Sequence, residues 1–165
     1  MISITVFDIL RDCGIALIIG LCWAILFGSR RRLLWVAGLM GGLGHCIRFV
    51  LIQFDAGLIT ATLAGSVFIG LAGIWVAHWV ASPPVVFTMP ACITMIPGMF
   101  AYRTMLAGIK LTDTSSIDNN PHLLLDMSHN LMLTMSLLFT LAIGICIGAL
   151  LFRKSSVKNI SFRDI

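Results

Sequence analysis

Glutamate is absent from this chain, and charged residues of every kind make up only 11% of its 165 positions, where a soluble domain carries about 25%. A water-exposed surface cannot be assembled from that supply, so a soluble globular domain is excluded. All seven carboxylate side chains are aspartates, which leaves little from which to build a general acid and base pair. No GxSxG, phosphate-loop, HExxH or dinucleotide-binding pattern occurs, and an enzyme reading has nothing to stand on. Cysteine is sparse and unpatterned. Cys13, Cys22, Cys46, Cys92 and Cys146 are odd in number, widely spaced and set in apolar segments, without CxxC or Cys/His spacing. They read as small packing residues, and no cofactor is expected.

What the chain has instead is long apolar runs: 59% of it is hydrophobic and its mean hydropathy is +1.02. Roughly 20 apolar residues cross a bilayer as a helix, so the expected fold is all-α, a single transmembrane domain of about five helices over residues 1–152. The spans fall at about 4–28, 33–54, 58–80, 85–109 and 122–152, with a basic tail at 153–165. The first run carries Asp8, Arg11 and Asp12 and lacks a basic leader and a small-residue cleavage site, so it is expected to be retained. Arg30, Arg31 and Arg32 with the four basic residues of the tail face one side, against Arg11 and Lys110 on the other. The positive-inside rule then places the N-terminus outside and the C-terminus in the cytoplasm, which an odd number of spans permits. The net charge of +4 is on this reading a topology signal, with no nucleic-acid partner implied. Trp75, His78 and Trp79 read as a belt at the cytoplasmic interface.

Small residues four apart recur along the spans: Gly38 and Gly42, Ala61 and Gly65, Ser66 and Gly70, Gly144 and Gly148. Such pairs let helix backbones approach closely, inside the bundle or against a partner. The fourth run is interrupted by Pro90 and by Pro97-Gly98. Each proline removes an amide and frees the carbonyl four residues earlier, here near Val86 and Ile93. Two outcomes follow from that pattern. Either the helix is broken and its backbone groups meet a solute, as in many secondary transporters, with Tyr102, Arg103 and the restarted helix end favouring a carboxylate; or it is a kinked, packed helix whose Arg103 reaches the interface. His45 and Arg48 share a face of the second span at a depth where an ionisable group must turn inward. His45 is there either a proton carrier or a packing histidine. The fifth run is longer than a bilayer needs, and His122, Asp126 and His129 form a polar stripe near its start beside Asn130. That stripe reads as a wet vestibule or an ion-pair partner for Arg48 or Arg103 ahead of a metal site, for which a further ligand would be required.

The stretch Gly41-Gly42-Leu43-Gly44-His45-Cys46-Ile47-Arg48, the Gly-rich third span, Pro83-Pro84 before a Val-Phe pair, and Pro90 through Pro97-Gly98-Met99-Phe100-Ala101-Tyr102-Arg103 together resemble the threonine/serine exporter family over about residues 30–152. Length and span number resemble its small split subunit, the YjjB-like type. The resemblance implies a multi-pass protein of the bacterial inner membrane that pairs with a larger subunit of the same family, the YjjP-like type. It also implies export of threonine, serine or, for the split pair, succinate, driven by the proton gradient. Carried onto this sequence, it points to Pro97, Gly98, Tyr102, Arg103, His45 and Arg48 as the substrate pathway, whereas His122, Asp126, His129 and Asn130 rest on their spacing alone. The alternatives are a non-transporting membrane subunit that stabilises or regulates a partner, and a homo-oligomeric channel.

Overall fold

The computed structural model describes residues 6–112 and 122–151. Among these residues all regular structure is helical: α1 (Val6–Leu26), α2 (Arg31–Gln53), α3 (Leu58–Val80), α4 (Val85–Ile93), α5 (Gly98–Leu111) and α6 (Leu123–Leu151). Helices of 21, 23 and 23 residues are about 31–35 Å long, which matches a hydrocarbon core of about 30 Å. With lipid unable to bond a bare backbone, closed helical hydrogen bonding is the form such apolar runs take. Chain reversals coincide with the breaks in hydropathy. Gly28, at φ 66°, turns α1 toward α2, and Ala81, at φ 48°, turns α3 toward Pro83-Pro84 and α4. The basic tail lies outside the described residues.

Short side chains set the helix spacing. α1 and α2 run antiparallel, with Gly20 against Ala37 and Gly38, and Gly42 against the Cys13 carbonyl. A Cβ placed on Gly65 of α3 would stand 2.8 Å from the Gly44 carbonyl of α2, and one on Gly148 of α6 would stand 2.5 Å from the Gly70 carbonyl. These helices therefore meet backbone to backbone. Hydroxyls that fall inside the bundle bond to their own helix: Thr62 donates to Leu58 O at 2.7 Å and Thr88 to Pro84 O at 2.9 Å, which removes the penalty of an unpaired polar group.

The direction of α6 decides how the chain crosses between α3 and α6. Ser66 faces Thr140 and Gly144, and Gly70 faces Gly144 and Gly148, so α3 and α6 run parallel. The chain must recross the bundle between them, and only α4 with α5 is available to do so. These two are joined by a bend of 59°. At 9 and 14 residues neither spans alone, at about 13 and 21 Å, but together they make the fifth crossing.

The position of the break departs from the expectation in one respect. α4 continues through Pro90, and only residues 94–97 are unwound. The carbonyl that Pro90 deprives of its helical partner, Val86 O, accepts instead from the Ser29 hydroxyl at 3.3 Å, while Pro90 itself is buried. With that acceptor met from the α1–α2 turn, nothing forces the helix open there. At Pro97 no such donor holds the helix together, and Ile93 O takes a tighter bond from Ile96 N at 3.1 Å.

The same packing predicts opposite outcomes for two glycines. Gly65→Ala is expected to cost about 1–3 kcal/mol, because a backbone carbonyl cannot move aside. Gly98→Ala, where no heavy atom lies within 4 Å of the new carbon, is expected to leave stability unchanged within about 0.5 kcal/mol. Thermal unfolding of both variants in one detergent checks this; equal midpoints would contradict the packing described.

Candidate functional site

The unwound segment lies against the crossing of α2 and α3. The Met95 side chain is fully buried there, its methyl close to both Gly44 and Gly65. Most carbonyls at this segment are met by short local bonds. Cys92 O accepts from Met95 N at 3.0 Å, Ile96 O from Gly98 N at 2.8 Å, and Ala91 O from the Thr94 hydroxyl at 2.8 Å. The Met95 carbonyl is answered from another helix, by the Arg48 guanidinium at 3.1 Å. The carbonyls near the prolines are thus occupied, and the acceptor at the break that reaches across to a neighbouring helix is that of Met95.

Arg48 belongs to a polar cluster at this point. His45 stands one turn before it on α2, with its Nε2 3.3 Å from Asp12 Oδ2 on α1. Although that separation is an ion-pair distance, Asp12 Oδ2 has no aligned hydrogen bond, so the contact is one of proximity. His45 Nδ1 and Arg48 Nε are likewise buried and without a hydrogen-bond partner among the described residues. Each buried unsatisfied group costs about 1–3 kcal/mol. Three such atoms, on a carboxylate, an imidazole and a guanidinium, gather at one point of an otherwise apolar bundle.

A second polar feature lies toward the end of the bundle away from Arg30, Arg31 and Arg32. α5 leaves the break and packs against α6. Between them is a cavity of about 470 Å³ lined by Phe100, Arg103, Lys110, Asp126, His129 and Asn130, among others. α6 overshoots the start of α3 by roughly 14 Å, so its first turns, which carry Asp126, stand beyond the start of α3. Arg103 and Asp126 share the cavity without forming an ion pair, and the Asn130 amide donates to Asp126 O at 2.7 Å within α6. Two cations and one carboxylate leave the lining with net positive charge. The restarted helix adds to it: the Gly98 amide is taken by Ile96 O and the Ala101 amide by Pro97 O at 3.2 Å, which leaves the Met99 and Phe100 amides as first-turn donors. Gly98 at that end is exposed.

The expected pathway residues are therefore divided. His45 and Arg48 meet at the break with buried Pro97; Arg103 shares the α5–α6 cavity with Asp126, His129 and Asn130, roughly 7.5 Å along α5 from Gly98. Tyr102 is 62% exposed and lines no cavity described here, because it sits one position round the helix from Arg103. His122 is exposed and lies outside the cavity lining, so the stripe contributes two of its three members. Gly38 and Gly42 pack on α1, Gly65 on α2, and Gly70, Gly144 and Gly148 at the α3–α6 contact. Asp12 and Lys110 are functional candidates that sequence reasoning passed over. Asp12 carried a visible signal, a carboxylate about two turns inside an apolar run, but its partner on α2 is 33 positions away and no spacing rule joins them.

The described fold and both polar features fall within a family-model match. The model described as threonine/serine exporter, ThrE, matches residues 12–151. No solved structure matches the chain. Since the match starts at Asp12 and runs to the last residue of α6, taking in the break, the Asp12–His45–Arg48 cluster and the α5–α6 cavity, the chain belongs to the threonine/serine exporter family and is a multi-pass membrane protein of a transporter family.

Proposed function

We propose that this chain is the small subunit of a bacterial inner-membrane secondary transporter that exports small carboxylate-bearing metabolites, namely threonine, serine or a dicarboxylate such as succinate. It works with a larger subunit of the same family and draws on the proton gradient. The observation that carries the reading is the convergence of Asp12, His45 and Arg48, with three partnerless buried atoms, on the unwound turn between α4 and α5. The His45 imidazole and the Asp12 carboxylate stand 3.3 Å apart, close enough for one proton to be passed between them. Protonation of Asp12 would weaken the hold on the positive groups around it and bias the turn toward a second arrangement. The substrate carboxylate belongs at the positive lining beyond that turn, between Arg103 and the first-turn amides of α5. Five crossings with the N-terminus outside would set this chain opposite in sense to a partner half that starts in the cytoplasm, the relation found in inverted-repeat transporters.

One observation favours a second reading, in which the chain only stabilises or regulates its partner: Arg48 already occupies the Met95 carbonyl, so the break is closed by protein on the α2 side. Efflux from proteoliposomes holding the two-subunit complex, loaded in turn with threonine, serine and succinate, separates the two. Arg103→Ala is expected to lower efflux by about 10- to 100-fold, the equivalent of a charge-assisted hydrogen bond, with the complex still assembled because the residue is exposed. Normal efflux from that variant would favour the stabilising role. Asp12→Asn keeps the shape and removes the carboxylate; residual efflux from it is expected to lose its acceleration by an imposed pH gradient, with His45→Gln as the companion variant. A full response to the gradient in both variants would remove the cluster from coupling.

A further inference from the structure

The opposite end of the bundle carries a feature that the transport reading does not use. Arg30 precedes α2, and Arg31 and Arg32 occupy its first turn. Guanidinium groups there face the positive end of the helix dipole and one another, which is unfavourable on both counts. Neither of the two ion pairs among the described residues involves them, and the first turn of α2 has no acidic residue and no side-chain cap. Among the described residues no anionic side chain pairs with these three mutually repelling cations.

They are also arranged around a space. Arg30, Arg31, Arg32 and Leu33 form one wall of a cavity of about 560 Å³, and Trp79, Val80 and Ser82, from the end of α3 and the turn after it, form the other. That volume lies within the range of small-ligand sites, roughly 300–1,000 Å³. The Ser82 hydroxyl is directed locally, to Val80 O at 3.3 Å, so the cationic side of the cavity is the arginine side. Trp79 is 81% exposed and lies against Trp75, with ring centroids 5.6 Å apart. Paired exposed indoles at the end of a membrane-crossing helix sit at headgroup depth, which puts the cavity mouth level with lipid phosphates.

We propose that this cavity binds a phosphate-bearing anion, with the guanidinium groups of Arg30, Arg31 and Arg32 as its bidentate donors and Trp79 with Leu33 and Val80 as its apolar wall. An anionic phospholipid headgroup and a soluble phosphate offer the same chemistry, and the experiment separates them. The full chain is placed in nanodiscs of phosphatidylcholine alone, of phosphatidylcholine with graded phosphatidylglycerol, or of phosphatidylcholine with inorganic phosphate at constant ionic strength. Thermal midpoint and lipid retained in native mass spectrometry are read. A stabilisation that saturates with phosphatidylglycerol and is missing with inorganic phosphate assigns the site to lipid; one seen with both assigns it to the phosphate group of either source.

The triple variant Arg30→Gln, Arg31→Gln, Arg32→Gln is expected to need on the order of a hundredfold more of the same anion, as three surface arginines near anionic lipid would imply. Ser82→Trp fills the cavity with every charge kept, and it too is expected to lose the effect. Overturning results are no saturable response to either probe, or a Ser82→Trp protein that responds and retains lipid as the unsubstituted chain does, since the arginines would then be acting as diffuse surface charge. The native mass spectrum decides the matter for any variant whose thermal midpoint is altered by the substitution itself.

Discussion

A helix that stops partway across an apolar bundle leaves carbonyls that no water can reach, and they must be met from the side. At Met95 this is done by Arg48. The bond joins α2 to the unwound turn, and Met95 below it fills the gap opened by the Gly44–Gly65 approach. Arg48 is in turn available only because α2 places it a turn beyond His45, with Asp12 of α1 opposite. Backbone satisfaction, helix spacing and the polar cluster are thus one arrangement, and a change in any part bears on the direction α5 takes.

That direction has a functional consequence. The 59° bend turns α5 off the line of α4 onto α6, and the space between α5 and α6 then collects Arg103, Lys110, Asp126, His129 and Asn130. Neither the break nor the cavity is costly in lipid, because irregular backbone and charge are tolerated where they face protein or water. The two polar regions are linked by α5 itself, whose first turn starts at the break and whose later turns line the cavity.

The two ends of the bundle obey different chemistry. One end concentrates three arginines and the Trp79 indole around a cavity without a carboxylate; the other mixes cations with Asp126 and with imidazole.

Composition and periodicity by themselves determined the membrane class, the all-helical fold, the number of crossings and the interruption at Pro97. These follow from residue types and run lengths, because a bilayer admits few solutions for an apolar chain. The motif around His45, Arg48 and Pro97 through Arg103 likewise carried the family. Tertiary structure alone decided that Pro90 does not break its helix, since the donor to Val86 O comes from Ser29, 57 positions away. It alone placed Asp12 beside His45, set Arg48 on the Met95 carbonyl and turned Tyr102 away from the cavity that takes Arg103. Each of these depends on which face of one helix meets another, and that is settled by the summed packing of short side chains at Gly38, Gly44, Gly65 and Gly70, not by any local pattern along the chain.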